Sequence, residues 1–91
     1  MSAAAARLVL LTREGCGLCE ELQQALAVLA SLHPHLPAWT LQDVDDDPVL
    51  ARRHGLDVPV LLLDGVKVCQ HHLDADALLR LLRPRPGVAQ V

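Results

Sequence analysis

The 91-residue sequence predicts an α/β fold. Its elements run β-α-β-α-β-β-α, giving a mixed four-stranded sheet with helices on both faces. Three observations carry this expectation. Short, continuous aliphatic runs, "RLVLLT" (Arg7–Thr12) and "VLLL" (Val60–Leu63), suit strands covered on both faces. Between them, leucines recur at helical spacing. "DG" at Asp64-Gly65, set between apolar runs, is a strong hairpin signal.

Each element follows in order. After the first strand, "REGCG" breaks the apolar run. From Leu18 the apolar positions are Leu22, Leu26, Leu29 and Leu32, with Ala25 and Val28 beside them, so a helix with one wide apolar stripe is expected. Pro34 ends it, because proline disfavours helical geometry at the residue before it, His33. Ala38 to Val44, "AWTLQDV", alternates well enough for a strand, with Trp39 and Leu41 on one side. "DDDP" marks a helix start, with Asp47 as N-cap and Pro48 in the first helical position. The short helix "PVLARRH" should be capped by Gly55. Pro59 opens the third strand, and Val66–Gln70 returns antiparallel after the Asp-Gly turn. "LDADALLRLLR" predicts a last amphipathic helix, capped by Asp74, with Arg80 and Arg83 at its negative end. Right-handed crossovers would lay the first three strands parallel, with the hairpin adding an antiparallel edge.

The length fits one domain, 1–91, with a core over about 7–83 and a tail over 84–91. Hydrophobic residues make up 52% of the chain, too many for disorder. The net charge of −3 and the single aromatic residue, Trp39, exclude the basic faces and stacking platforms of nucleic-acid binding. No apolar run reaches the ~20 residues of a membrane span. Arg7 interrupts the apolar opening "MSAAAARLVLLT", which argues against an export signal. Three cysteines do not make a secreted disulfide framework. A cytoplasmic monomer is expected, with no nucleic-acid or membrane partner.

The chemistry rests on Cys16 and Cys19, three positions apart where the first strand gives way to the first helix. The N–H groups and dipole of a helix N-terminus favour negative charge, so a thiol there ionises more readily than a free cysteine at about 8.5. The thiolate is the nucleophile of disulfide exchange. One turn along the same face, Cys19 can close a small ring with Cys16. Cys16 is then the outer, attacking thiol and Cys19 the inner, resolving one. Arg13 favours the thiolate, whereas Glu14, Glu20 and Glu21 oppose it if close; Glu20 and Glu21 also suit a first helical turn for its own sake. Two other readings stand beside the redox one. Both thiols can be small core hydrophobes, or with Cys69, His71 and His72 they can hold zinc. Metal sites usually show two paired ligand clusters, and only one clean pair is present, so no metal is expected. The acidic run Asp43, Asp45, Asp46 and Asp47 fails the calcium-loop pattern, because its sixth and twelfth positions hold neither glycine nor glutamate. His33 and His35, among prolines, are expected as exposed loop residues.

"TREGCGLC" before a leucine-rich helix, then "VDDDPVLARRHGLDVPVLLLDG" and a closing helix, resembles the glutaredoxin-like branch of the thioredoxin superfamily, most of all its short bacterial members. The resemblance spans roughly Leu8 to Leu82. It implies a thioredoxin/glutaredoxin-like fold and a thiol–disulfide oxidoreductase with Cys16 and Cys19 as catalytic residues. It also implies a cis-proline at Pro59, with the backbone of Val58 offered to a peptide or glutathione; Arg13, from its place before Cys16, is expected with them among the substrate-binding residues. The implied partner is a disulfide-containing protein or a low-molecular-weight thiol, with no resident cofactor and with glutathione or a thioredoxin-type reductase as electron source. The chain departs from glutaredoxins in two places. Gly17 and Leu18 stand where proline and tyrosine are usual. "CQHH" replaces the glycine pair that lets backbone approach glutathione. Glutathione binding is therefore expected to be weak or in a different pose. A second reading, from another class, is a thioredoxin-fold module that holds a partner without turnover, or a thiol protein that holds a metal or, as the resemblance to some glutaredoxins implies, an iron–sulfur cluster bridging two subunits.

Overall fold

The computed structural model describes residues 6–82. Residues 1–5, Arg83 and the 84–91 tail lie outside the described residues. Elements appear in the order β1 (Leu8–Thr12), α1 (Gly17–Leu32), β2 (Trp39–Asp43), a 3-10 turn (Val44–Asp46), α2 (Pro48–His54), β3 (Val60–Leu63), β4 (Val66–Gln70) and α3 (Ala75–Leu82). They build a four-stranded mixed sheet in the order β2-β1-β3-β4.

Local chemistry sets the element ends. Asp47 is the N-cap of α2 and accepts from the Val49 N–H at 2.9 Å, with Pro48 following. Asp74 accepts from the Ala77 N–H at 3.0 Å and caps α3. Helix α1 stops at Leu32, and His33 caps it with its N–H on the Leu29 carbonyl. Asp64 and Gly65 both take positive φ, 52° and 85°, in the tight turn that joins β3 to β4.

Three expectations change. The third strand runs antiparallel to β1, with Val60 opposite Leu11 and Leu63 opposite Leu8; only β1 and β2 are parallel. The reason is length. Seven residues of α2 span about 10 Å at 1.5 Å per residue, and five residues of strand span about 17 Å. A helix this short does not return the chain to the far end of the sheet, so β3 starts where β2 finished. The apolar stripe of α1 is also narrower than predicted: Cys19, Leu22, Leu26 and Leu29 are buried, while Val28 and Leu32 are 61% and 68% exposed. Strand β2 ends at Asp43, and Val44 turns into the 3-10 segment, fully buried.

Alternation along the strands feeds two cores. Leu8, Leu10 and Leu61 pack with Leu22, Leu26 and Leu29 of α1 and Leu78 of α3. On the opposite face Leu11, Val60 and Leu62 pack with Val44, and Leu50 of α2 leans on them. Helices α1 and α3 thus cover one face and α2 the other. An irregularity at Leu61/Leu62 shifts the β3–β4 register, so Cys69 faces Leu61 and joins the larger core.

Candidate active site: a disulfide at the mouth of α1

Strand β1 delivers the chain to the Arg13–Gly15 turn, where Gly15 takes φ 76°. Cys16 then stands in the N-cap position of α1, in extended backbone, and its sulfur accepts from the Cys19 N–H at 3.0 Å. A cap normally offers an oxygen to this orphan donor; here a sulfur does so. Cys16 and Cys19 are joined as a disulfide, with Cα atoms 5.2 Å apart. Cys16 is half-buried and Cys19 is 4% exposed, under the same face as Leu22 and Leu26. The outer and inner positions expected from the three-residue spacing are those found.

Pro59 is fully buried, and the Val58–Pro59 bond is cis. Since Val60 lies opposite Leu11, near the end of β1 that leads to Cys16, the proline sits at the disulfide's end of the sheet. The Pro59 carbonyl accepts from the His71 N–H at 2.8 Å. Val58 is half-buried, and among the described residues neither its N–H nor its C=O takes a backbone partner. His71 adopts φ 69°, the left-handed region that glycine enters without steric cost. The conformation of a glycine turn is kept there while the side chain is not.

The structure gives Arg13 partners of its own. Its guanidinium forks onto Asp45, Nε to Oδ2 and Nη2 to Oδ1, each at 2.9 Å, and Nη1 donates to the Gly55 carbonyl at 2.8 Å. One side chain so joins the start of the cysteine turn, the 3-10 turn and the end of α2. The hydrogen bonds to Asp45 raise the Arg13 pKa and lower that of Asp45, and the mutual charge adds to both. Sequence reasoning missed this partnership because the two residues are 32 positions apart. Gly55 likewise has a role unlike the expected one. It caps α2 in right-handed conformation, at φ −57°, so the left-handed cap is absent. A Cβ there would collide with the Ala51 carbonyl and lie 3.3 Å from Arg13 Nη2. Close approach, not backbone freedom, is what the glycine provides.

Cys69 is the free cysteine among the described residues and is half-buried. Burial pushes its thiol up, with a smaller opposing contribution from a backbone hydrogen bond at Asp74. His71 and His72 follow it, yet no three His, Cys, Asp or Glu side chains converge as metal ligands among the described residues. His33 and His35 stack edge to face, with centroids 5.8 Å apart. With Asp76, Leu79 and Arg80 they line a cleft of about 480 Å³. It lies at the far end of α1, about 24 Å from the disulfide, and takes no part in the thiol site. No described helix is long and apolar enough to cross a membrane.

Comparison with known proteins agrees with this geometry. The glutaredoxin-like domain (DUF836) matches residues 7–83. Protein Ne2328 from Nitrosomonas europaea, solved by NMR, is 29% identical; the match covers 91% of this chain and 98% of that one, with a TM-score of 0.76. Protein XcR50 from X. campestris is 32% identical over 85% of this chain and 99% of its own, with a TM-score of 0.58. A mutant thioredoxin from Halobacterium salinarum NRC-1 is 30% identical over 89% of this chain and 78% of its own, with a TM-score of 0.55. No curated protein matches the chain. A cysteine pair capping the first helix, a cis-proline opening the third strand and a family match over nearly the whole described length agree: the chain belongs to the glutaredoxin-like domain family (DUF836) of the thioredoxin superfamily.

Proposed function

We propose that the protein is a thiol–disulfide oxidoreductase. The observation that carries the reading is the Cys16–Cys19 disulfide at the helix mouth, with Cys16 half-buried and Cys19 buried. In the reduced protein the Cys16 thiolate attacks one sulfur of a substrate disulfide. A mixed disulfide forms and the first substrate thiolate leaves. Cys19 then attacks Cys16 Sγ, the ring closes, and the second substrate thiolate leaves. Two electrons pass to the substrate, and the protein holds the disulfide. The unpartnered N–H and C=O of Val58, beside buried Pro59, offer an incoming extended peptide two backbone hydrogen bonds. Arg13 holds the cysteine turn against the 3-10 turn and α2 through Asp45 and Gly55, which makes it a positioning residue. The substrate is a protein disulfide or a low-molecular-weight disulfide, and glutathione or a thioredoxin-type reductase, in the cytoplasm, restores the thiols.

Redox titration against glutathione tests the reading, with the Cys16–Cys19 pair followed by alkylation and mass spectrometry. A potential between about −120 and −270 mV, the range of known dithiol oxidoreductases, is expected. A potential below about −300 mV would mark a structural disulfide that cellular thiols leave intact, and the oxidoreductase reading would fall.

A further inference from the structure

Three glutamates, Glu14, Glu20 and Glu21, flank the cysteine pair along the chain. Glu14 is two residues from Cys16, so their Cα atoms lie within about 7.6 Å. Glu20 and Glu21 lie in the following turn, about 6–8 Å along the helix axis. The Glu20 N–H bonds to the Cys16 carbonyl, which fixes that turn directly under the cysteine. All three glutamates are exposed, and among the described residues none forms a salt bridge. The backbone of all three thus lies within about the Debye length of 8 Å of Cys16 at physiological salt, a separation over which an exposed carboxylate acts on a charge brought to the cysteine. The cation nearest in sequence, Arg13, is neutralised by the fork on Asp45, and its remaining bond goes to Gly55. Arg7 lies at the opposite end of β1 from the cysteines, and Arg52 and Arg53 belong to α2, past the Gly55 end of that fork. Leu18, between the cysteines, is 38% exposed and adds an apolar contact.

Resting on the oxidoreductase reading, we infer that the site favours disulfides whose flanking groups are cationic and discriminates against those flanked by carboxylates. The glutamates form no binding site of their own; they set the field at the sulfur that attacks. The carboxylate-bearing disulfide of glutathione belongs to the disfavoured class, and peptide disulfides flanked by lysine or arginine belong to the favoured one.

Three small disulfides of graded charge test this: cystamine (cationic), bis(2-hydroxyethyl) disulfide (neutral) and 3,3′-dithiodipropionate (anionic). Full-length protein is reduced, freed of reductant and mixed with each, and formation of the Cys16–Cys19 disulfide is timed by quenched alkylation. Each rate is divided by that of dithiothreitol with the same disulfide, which removes leaving-group differences. At low salt, three like charges at about 8 Å should make the corrected cationic rate exceed the neutral one on the order of tenfold and the anionic one on the order of a hundredfold. At 1 M salt, where the Debye length is about 3 Å, the ratio should approach one. The combined variant Glu14→Gln, Glu20→Gln, Glu21→Gln should show a ratio near one at low salt. A change in Cys16 nucleophilicity multiplies all three rates alike, so the ratio isolates substrate charge. Equal corrected rates in the wild type at low salt overturn the inference and leave the oxidoreductase reading standing. A ratio indifferent to salt, or unmoved in the variant, overturns it as well. Inertness towards the neutral disulfide removes the oxidoreductase reading and the inference with it.

Discussion

Replacing Leu26 and Leu32 separately with alanine makes the same chemical change at two points of α1 and should give very different results. By spacing alone, both residues belong to the apolar stripe. In the structure Leu26 is fully buried among Leu8, Leu10, Leu22, Leu29, Leu61 and Leu78, whereas Leu32 is 68% exposed. Truncating a fully buried leucine removes its transfer free energy and leaves a cavity, at about 3–5 kcal/mol. Unfolding entropy of about 2.1 cal/mol/K per residue amounts to roughly 190 cal/mol/K for this length, so Leu26→Ala should lower Tm by about 16–26 °C. Total stability for such a chain is about 5–14 kcal/mol, so the loss consumes most of the lower value and about a third of the upper. Leu32→Ala gives up little buried surface and gains helix propensity, and should change stability by less than about 0.5 kcal/mol. The assay is urea unfolding of the oxidised proteins, followed by far-ultraviolet circular dichroism and by the fluorescence of Trp39. Keeping the disulfide intact preserves two-state behaviour. Midpoint losses equal to within 1 kcal/mol would refute the burial argument and, with it, the packing of α1 on the sheet.

Three further outcomes are expected. Cys16→Ser should abolish reaction with disulfides, while Cys19→Ser should accumulate a covalent adduct at Cys16, because the buried thiol resolves the mixed disulfide; mass spectrometry decides, and an adduct at Cys19 of the Cys16→Ser protein would reverse the roles. The Asp45 carboxyl is held below its ordinary range, first by its hydrogen bonds to Arg13 and then by the charge. Its stabilisation is present above the unfolded value of about 4 and is lost as pH falls through the lower folded value. The difference in urea midpoint between wild type and Asp45→Asn should therefore be widest above pH 5 and close towards pH 2, and a pH-independent difference would argue against the pair. His71 stands at φ 69°, a conformation that costs an ordinary residue about 1–2 kcal/mol, more than the roughly 0.4–1 kcal/mol of chain entropy that glycine brings. His71→Gly should thus be neutral or stabilising and His72→Gly destabilising, and equal effects in thermal melts would refute the strain.

The sequence by itself determined what depends on near neighbours. The order of elements, the Asp47 and Asp74 caps, the stop before Pro34, the Asp64-Gly65 turn and the placing of Cys16 outside Cys19 all follow from residues within a few positions of one another. Backbone donors at helix ends and the steric demands of proline and tight turns act over that range, so a linear reading captures them. Tertiary structure decided what depends on partners far along the chain. The direction of β3 followed from how far a seven-residue α2 can carry the chain. Only the packing shows how narrow the covered face of α1 is: at about 100° per residue, Val28 and Leu32 point roughly 140° and 100° away from the centre of the buried stripe, and both stay exposed. Arg13 found Asp45 and Gly55, 32 and 42 positions away, and so became a tie between segments, its charge neutralised. Gly55 reads in sequence as a helix cap; only the packing of Ala51 and Arg13 against it shows that the missing side chain is what matters. A charge or a face is committed only when the chain closes on itself, because the choice among competing partners is made by distance in space.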